Sequence, residues 1–252
     1  MYPPENIYSG TSGLVLPVKQ SEYPPAYRGV SRLTYYASLF NSIEINSIFY
    51  KLPKPATVLN WVQSVPGHFR FTFKLSKSIT HSKELEYDSS NIDLFMKAIA
   101  PAMDKMICIL IQFPRGLKIN NLKKVDNLLS AIKIASSAIH LAVEFRHPTW
   151  YNQDVYNVLD AHDAAMVIHD MQPAPPVAVP NSPMKYIRFH GPGGRYRGSY
   201  TNEFLCRYAQ LIREWKAEGK TVCYYFNNTM GDAFNNLQAL NEMQKSNGKT
   251  QK

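Results

Sequence analysis

The chain has 252 residues, which suits either one α/β barrel or two small domains, and 45% of them are hydrophobic, enough to bury a substantial core. Its 28 Lys and Arg residues against 19 Asp and Glu give a formal net charge of +9, which favours anionic partners and leaves nucleic acid open as a partner. The sequence has no apolar run near the roughly 20 residues that cross a bilayer, no secretory signal pattern at its start, and three scattered cysteines rather than a disulfide framework. We therefore expect a cytoplasmic protein with reduced thiols and no membrane contact.

Eight short runs of apolar or β-branched residues recur along the chain with the length of strands. They occupy residues 7–9, 42–46, 69–75, 107–113, 141–145, 165–169, 185–190 and 221–226. Helix-like stretches follow at residues 31–40, 57–64, 91–103, 122–135, 154–162, 202–218 and 232–244. This alternation predicts an α/β fold, a single closed (β/α)8 TIM-type barrel. The alternative, an open doubly wound sheet, would need a Gly-rich nucleotide loop after the first strand, which this chain lacks.

The stretch after the sixth strand departs from the alternation. Residues 172–184 contain five prolines, and proline cannot hold a helix interior, so a Pro-rich loop is expected to replace the sixth helix. This loop and residues 192–199 are predicted to form a mobile rim. The sequence shows no linker or repeat, which predicts one domain over residues 1–245 and a frayed tail at residues 246–252.

Polar side chains stand at the carboxyl ends of the predicted strands, where barrels gather their ligand chemistry. They are Thr11, Ser12, Glu44, Asn46, Lys74, Gln112, Glu144, Arg146, His147, His169, Asp170, Arg188, His190, Asn227 and Asn228. Residues two apart on a strand share a face, so each glutamate should lie beside the polar residue that follows it by two. One interpretation is a buried ion network, in which the glutamates bridge the arginines and only hold the barrel top together.

A second interpretation is an enzyme, a hydrolase, lyase or isomerase, acting on a small anionic substrate that is phosphorylated or sugar-like. Glu44 and Glu144 would then act as acid and base, with His190 as a proton carrier. The predicted substrate-binding residues are Asn46, Lys74, Arg146, Arg188, Tyr196, Asn227 and Asn228. Guanidinium groups suit phosphate, and the start of the last helix favours negative charge, so we expect the anion near Arg188 and that helix.

Two further alternatives stay open. A metal-dependent hydrolase or endonuclease acting on nucleic acid would use His81, His147, His169 and His190 with the carboxylates. The chain has no HxH or HExxH spacing, however, and no metal ligands are assigned. A non-catalytic binding module would use the same residues only to hold a ligand. The sequence assigns no cofactor and no oligomeric state.

Seven segments carry distinctive motifs. They are GTSG at 10–13, YYASLFNSIEINSIFYKLP at 35–53, FRFTFKLSKSITH at 69–81, LIQFP at 110–114, VEFRHPTW at 143–150, YIRFHG at 186–191 with Tyr196 and Tyr200, and YFNNTMGDAFNN at 225–236. Together they resemble the YecE-like family, a bacterial and archaeal domain of unknown function with a TIM-barrel fold. The resemblance runs over about residues 8–240, with Leu14 where relatives usually carry Trp and Thr229 where many carry an acidic residue. It implies the barrel and leaves the activity open.

Overall fold

The computed structural model describes residues 6–177 and 182–246. Eight parallel strands form its sheet: β1 (Ile7–Thr11), β2 (Ser42–Ile45), β3 (Arg70–Lys74), β4 (Met106–Gln112), β5 (His140–Glu144), β6 (Ala164–His169), β7 (Met184–Phe189) and β8 (Thr221–Phe226). The sheet curls into a nearly closed barrel in the order β1-β8-β7-β6-β5-β4-β3-β2. The predicted TIM-type barrel is confirmed.

Eight α-helices surround the barrel in the described residues. They are α1 (Arg32–Leu39), α2 (Pro55–Gln63), α3 (Lys77–Thr80), α4 (Ser90–Ile99), α5 (Leu122–Ala135), α6 (Gln153–Ala161), α7 (Asn202–Ala217) and α8 (Ala233–Ser246). Seven of them match predicted stretches, whereas α3 has four residues, too few to show a helical period. None of the helices in the described part of the chain is long and apolar enough to span a membrane.

The segment between β6 and β7 forms no helix in its described residues, 170–177 and 182–183, as its prolines predict. Residues 178–181 of this predicted rim loop lie outside the described residues. The same holds for the tail expected at 246–252, apart from Ser246, where α8 ends.

The barrel closes between β1 and β2, where side chains replace part of the strand ladder. The Asn41 side chain accepts from Ser9 N at 2.9 Å and donates to Ile7 O at 2.7 Å, so it takes the place of a neighbouring strand. Towards the carboxyl ends, Gly13 N donates to Glu44 O at 2.7 Å. The glutamate that the sequence singles out therefore lies at the closing seam.

The barrel interior changes from apolar to charged towards the carboxyl ends of the strands. An apolar group fills part of it: Cys108, Leu110, Ala142, Ala165, Val167, Met184, Tyr186, Cys223 and Tyr225. The Tyr225 hydroxyl lies 2.6 Å from Ser42 Oγ and 3.0 Å from Thr72 Oγ1. Two residues further along the same strands stand Glu44 and Lys74. Because side chains two apart share a face, the strands carry polar groups from this interior to the barrel mouth.

Candidate functional site

An arginine at the end of β7 joins two glutamates across the barrel. Arg188 is 1% exposed and lies between Glu44 of β2 and Glu144 of β5, both completely buried. Its Nε and Nη2 donate to the two Glu44 oxygens at 3.0 and 2.7 Å, and its Nη1 donates to Glu144 Oε2 at 2.7 Å. The buried ion network considered from the sequence is therefore present. Since Arg188 is buried and committed to two carboxylates, its geometry does not support the predicted direct contact with a substrate anion.

Glu44 has donors at both of its oxygens. Besides the two Arg188 contacts, Oε1 accepts from Ser12 Oγ at 2.6 Å and from Asn46 Nδ2 at 3.1 Å. Oε2 accepts from the Tyr186 hydroxyl at 2.7 Å. Burial alone raises the pKa of the Glu44 carboxyl, but the Arg188 charge and these hydrogen bonds outweigh burial and hold the pKa below its ordinary value. Glu44 is thus an ionised, fully partnered group, which does not support the predicted acid or base role.

Glu144 is held by a second arginine as well. Its Oε1 forms an ion pair with Arg146 Nη2, and Arg146 Nη1 contacts Met171 Sδ. Burial raises the pKa of Glu144, but the charges of Arg146 and Arg188 dominate and leave it well below its ordinary value. Arg146 Nε is buried and has no hydrogen-bond partner among the described residues. Glu144 is therefore also a fixed anion, whereas Arg146 keeps one unused donor.

His190 is locked in one neutral tautomer. Its Nε2 lies 3.0 Å from Arg146 Nη2 and 3.4 Å from Arg188 Nη1, and arginine nitrogens can only donate. Nε2 must therefore accept, so the neutral ring carries its hydrogen on Nδ1, 3.4 Å from Asp170 Oδ1. Burial lowers the pKa of His190 to about 4. With its lone pair used and its protonation unfavourable at neutral pH, His190 is poorly suited to the predicted role of proton carrier.

Asp170 at the end of β6 ties the loop after β7 to this network. It accepts from His190 N at 2.8 Å and from the Tyr200 hydroxyl, which in turn accepts from Gly191 N. The carboxylate is thus an acceptor for the residues that follow β7.

Lys74 at the end of β3 differs from the other charges of the site. Its side chain is partly buried, Nζ donates to Gln112 Oε1 at 2.9 Å, and the ammonium lies 4.1 Å from the centre of the Phe49 ring. Burial, and after it the charge of Arg188, lowers the pKa of Lys74 to about 8. This places its titration close to neutral pH.

The loop from β8 to α8, where the sequence predicts an anion, is filled by protein contacts. Asn228 is buried, and its Nδ2 donates to Gly198 O and to Asn236 Oδ1, both at 3.0 Å. Asp232 stands just before α8 and accepts from Ser199 Oγ at 2.9 Å. A carboxylate already lies at this helix start, and a second anion would meet its charge. This geometry does not support an anion at the helix start, whereas Asn228 keeps a buried Oδ1 that has no hydrogen-bond partner among the described residues.

Three other predicted binding residues lie at the rim of the network. Asn46 donates to Glu44, and its buried Oδ1 has no partner among the described residues. Asn227 directly follows β8 and is partly exposed. The Tyr196 ring lies 5.7 Å from the His190 ring, edge to face. These residues keep their place as candidate ligand contacts.

The other histidines bind local backbone or side-chain groups. His147 Nδ1 accepts from Thr149 N at 3.3 Å and starts a short helical turn, and His169 Nε2 donates to Phe145 O at 3.0 Å. His81 lies outside the ion network, 5.0 Å from the Phe49 ring between ring centres. Within residues 6–177 and 182–246, no three His, Cys, Asp or Glu side chains are grouped so that they could share a metal ion.

Two contributors to the site were missed by sequence reasoning. Tyr186 precedes Arg188 by two residues on β7, so the same spacing rule that paired other residues could have found it. Phe49 lies in a short 3-10 turn after β2 and carried no polar signal. Its contact with Lys74 depends on how the loops after β2 and β3 pack.

Solved structures share this architecture. A DUF72 family protein from Enterococcus faecalis V583 matches with a TM-score of 0.77 and 22% identity, over 95% of this chain and 95% of that one. A DUF72 family protein from Thermotoga maritima MSB8 matches with a TM-score of 0.75 and 26% identity, over 95% of this chain and 98% of that one.

Curated relatives agree with the structures. The UPF0759 protein YunF of Bacillus subtilis (strain 168) is 26% identical over 257 residues, covering 88% of this chain and 90% of the relative. The UPF0759 protein YecE of Escherichia coli (strain K12) is 28% identical over 123 residues, which is 49% of this chain and 44% of the relative. The model of the family described as "Protein of unknown function DUF72" matches residues 8–252. The chain belongs to the DUF72 family.

Proposed function

We propose that this protein is an enzyme that binds a small anionic substrate at the carboxyl end of its barrel, and that Lys74 contacts the anion and exchanges a proton with the substrate. One observation carries the proposal. The Lys74 ammonium lies at the barrel mouth with an amide oxygen and an aromatic ring as neighbours, and no carboxylate of the described residues forms an ion pair with it.

The carboxylates near Lys74 already form ion pairs with arginines. Glu44 and Glu144 are held by Arg188 and Arg146, so the charges of these four buried groups balance without Lys74. A partly buried cation without a counter-ion costs free energy. The cost is relieved either by loss of the proton or by arrival of an anion. Both routes are useful to an enzyme, because a small change in the surroundings then moves a proton.

The pKa of Lys74, about 8, supports the role in proton transfer. A general acid or base works best when its pKa lies near the working pH. Among the residues assigned a catalytic role from the sequence, the glutamates are fixed anions and His190 is a fixed neutral ring. Proton transfer by a single amine beside an anionic substrate suits an isomerase or a lyase. Arg146, through its unpartnered Nε, is the natural second contact for the anion.

The test compares melting temperatures in phosphate or sulfate with those in chloride at equal ionic strength. A ligand at about ten times its Kd stabilises the native state by about 1.4 kcal/mol, or about 3–6 °C for a chain of this size. Lys74→Met should abolish the gain. The control Lys123→Met removes a lysine whose side chain is 80% exposed and which is paired with Asp126, and it should keep the gain. An equal gain in the Lys74→Met protein would contradict the proposal.

A further inference from the structure

A groove opens beside Lys74, between the loops that follow β2 and β3. It has a volume of about 550 Å³, and among the described residues it is lined by Tyr50, Leu52, Ser76, Lys77, Ser78, His81 and Ser82, of which Lys77 is the one charged side chain. These loops belong to the carboxyl face of the barrel, where ligands of such barrels bind. The groove takes no part in the ion network.

Phe49 separates the groove from the Lys74 amine. Its ring lies under the Lys74 ammonium at 4.1 Å, and between ring centres it lies 4.9 Å from Tyr50 and 5.0 Å from His81. A ligand whose charged group reaches Lys74 would therefore extend over Phe49 into the groove. The groove is adjacent to the reactive group and has the position of a second subsite.

The hydrogen bonds of His81 determine what its ring offers to a ligand. The Thr80 hydroxyl donates to Ser76 O at 3.2 Å, so its only hydrogen is used. His81 Nδ1, 2.9 Å from the Thr80 oxygen, must then be the donor of that contact. Burial, and after it the charges of Lys74 and Lys77, lowers the pKa of His81 to about 4, so the ring is neutral at pH 7. Its Nε2, without a partner among the described residues, is a hydrogen-bond acceptor.

Ser82 offers an acceptor in the same way. Its hydroxyl hydrogen is donated to Ile79 O at 2.9 Å, which leaves the oxygen lone pairs available to a ligand. Acceptors select ligands that donate, and hydroxyl groups do so whereas phosphate oxygens do not. Tyr50 adds a flat apolar surface, since its side chain is 79% exposed at the groove. Acceptors beside an exposed aromatic ring are the chemistry that recognises a hydroxylated sugar ring.

We infer that the groove is a subsite for the sugar ring of a phosphorylated sugar whose phosphate contacts Lys74. This inference rests on the proposed function, because it places the anion at the same amine. It narrows the substrate class from a small anion to a sugar phosphate. The ring lies on Tyr50 and donates its hydroxyl hydrogens to His81 Nε2 and Ser82 Oγ.

Calorimetric titration of the full chain with four probes tests this: inorganic phosphate, glucose, glucose 6-phosphate and ribose 5-phosphate. We expect at least one sugar phosphate to bind about tenfold or more tightly than phosphate. Tyr50→Ala and His81→Leu should remove most of that advantage and leave the affinity for phosphate unchanged. Tyr50→Phe should keep the advantage, because the ring remains. Ile134→Ala, which removes an apolar side chain that is 86% exposed on α5, is the matched surface control.

The outcomes separate the two proposals. Sugar phosphates that bind no more tightly than phosphate, with phosphate binding lost in Lys74→Met, would overturn the groove inference and leave the proposed function standing. Glucose binding that is lost in Tyr50→Ala, with no phosphate binding at all, would support a sugar subsite and overturn the anion at Lys74. Equal losses for phosphate and sugar phosphate in Tyr50→Ala would count against a separate ring subsite.

Discussion

Removing Arg188 should show how much the stability of the fold depends on the central cation of the buried ion network. Glu44 and Glu144 are completely buried in the parent, and Arg188→Met removes the three hydrogen bonds that the guanidinium donates to them at 2.7–3.0 Å. Breaking a buried ion pair by removing one partner costs about 3–5 kcal/mol. For a chain of this size each kcal/mol lowers the melting temperature by about 2–4 °C, so we expect a loss of about 6–20 °C at pH 7.

The dependence of this loss on pH identifies its cause. In the parent protein the pKa of Glu44 lies below its ordinary value, so its contribution to stability is present above the unfolded pKa of about 4.3 and is lost as the pH falls through the folded pKa. In Arg188→Met, burial acts without the opposing charge and raises the pKa of Glu44. The variant then gains stability as this carboxyl takes up a proton. The gap between parent and variant should therefore narrow from pH 7 to about pH 4.

Urea unfolding of four proteins completes the test: the parent, Arg188→Met, Glu44→Gln and the double variant. Removing the Glu44 charge should relieve part of the cost of losing Arg188, so the double variant should lose less stability than the sum of the single losses. Coupling in such networks amounts to about 0.5–3 kcal/mol. Two results together would refute this explanation of the ion network. The stability losses of the two single variants would be strictly additive, and the stability difference between the parent and Arg188→Met would stay constant from pH 7 to pH 4.

Three other changes test separate parts of the structure. The pKa of Lys74 is about 8 in the fold and about 10.4 in the unfolded chain, so the unfolded chain binds more protons between these pH values. The parent should therefore gain stability relative to Lys74→Met as the pH rises from about 8 to about 10.4, measured by urea unfolding. Parallel curves for the two proteins would contradict this. In Gly10→Ala the new Cβ would lie 2.1 Å from Ser42 O at the closing seam, so we expect the free energy of unfolding to fall by about 1–3 kcal/mol or more. The control Gly116→Ala places its Cβ where no atom lies within 4 Å, and it should melt near the parent temperature. Tyr200→Phe removes a hydroxyl that donates to the Asp170 carboxylate and accepts from Gly191 N, and it should lower the free energy of unfolding by about 1–3 kcal/mol. Thermal unfolding measures this loss, and an unchanged melting temperature would show that these contacts do not stabilise the fold.

The barrel could be predicted from the sequence because its signal is local. Strand composition, alternation with helices and the prolines after β6 are each visible in a short window. The predicted bounds of β8 and α5, 221–226 and 122–135, agree with the structure. At the start of α7, Thr201 and Asn202 are both candidate caps, and the structure shows that the Thr201 side chain accepts from Phe204 N. Both residue types cap helices well, and only the backbone decides between them.

The sequence could predict which polar residues gather at the carboxyl ends of the strands, and it said less about how they pair. The period of two placed Glu44 beside Asn46, and the structure confirms that contact. Which strands meet across the barrel is a tertiary property, and it decides that Arg188 takes both glutamates. Charge state follows from the same packing. An acid and base pair and a buried ion network use the same residue types, and only burial and partner counts distinguish them.

The barrel mouth combines two kinds of group: a buried ion network whose charges are fixed, and the amine of Lys74, whose pKa lies near neutral pH. Groups whose pKa values lie far from neutral cannot change charge during a reaction, so Glu44, Glu144 and His190 present a constant field. Such a field is preorganised, because ion pairs and hydrogen bonds already hold its members in place. Burial, and after it the charge of Arg188, lowers the pKa of Lys74 to about 8, and no carboxylate of the described residues forms an ion pair with its amine. Under the proposed function, an anion that reaches the mouth would favour the protonated form of Lys74, so ligand binding and proton uptake would be coupled at this amine.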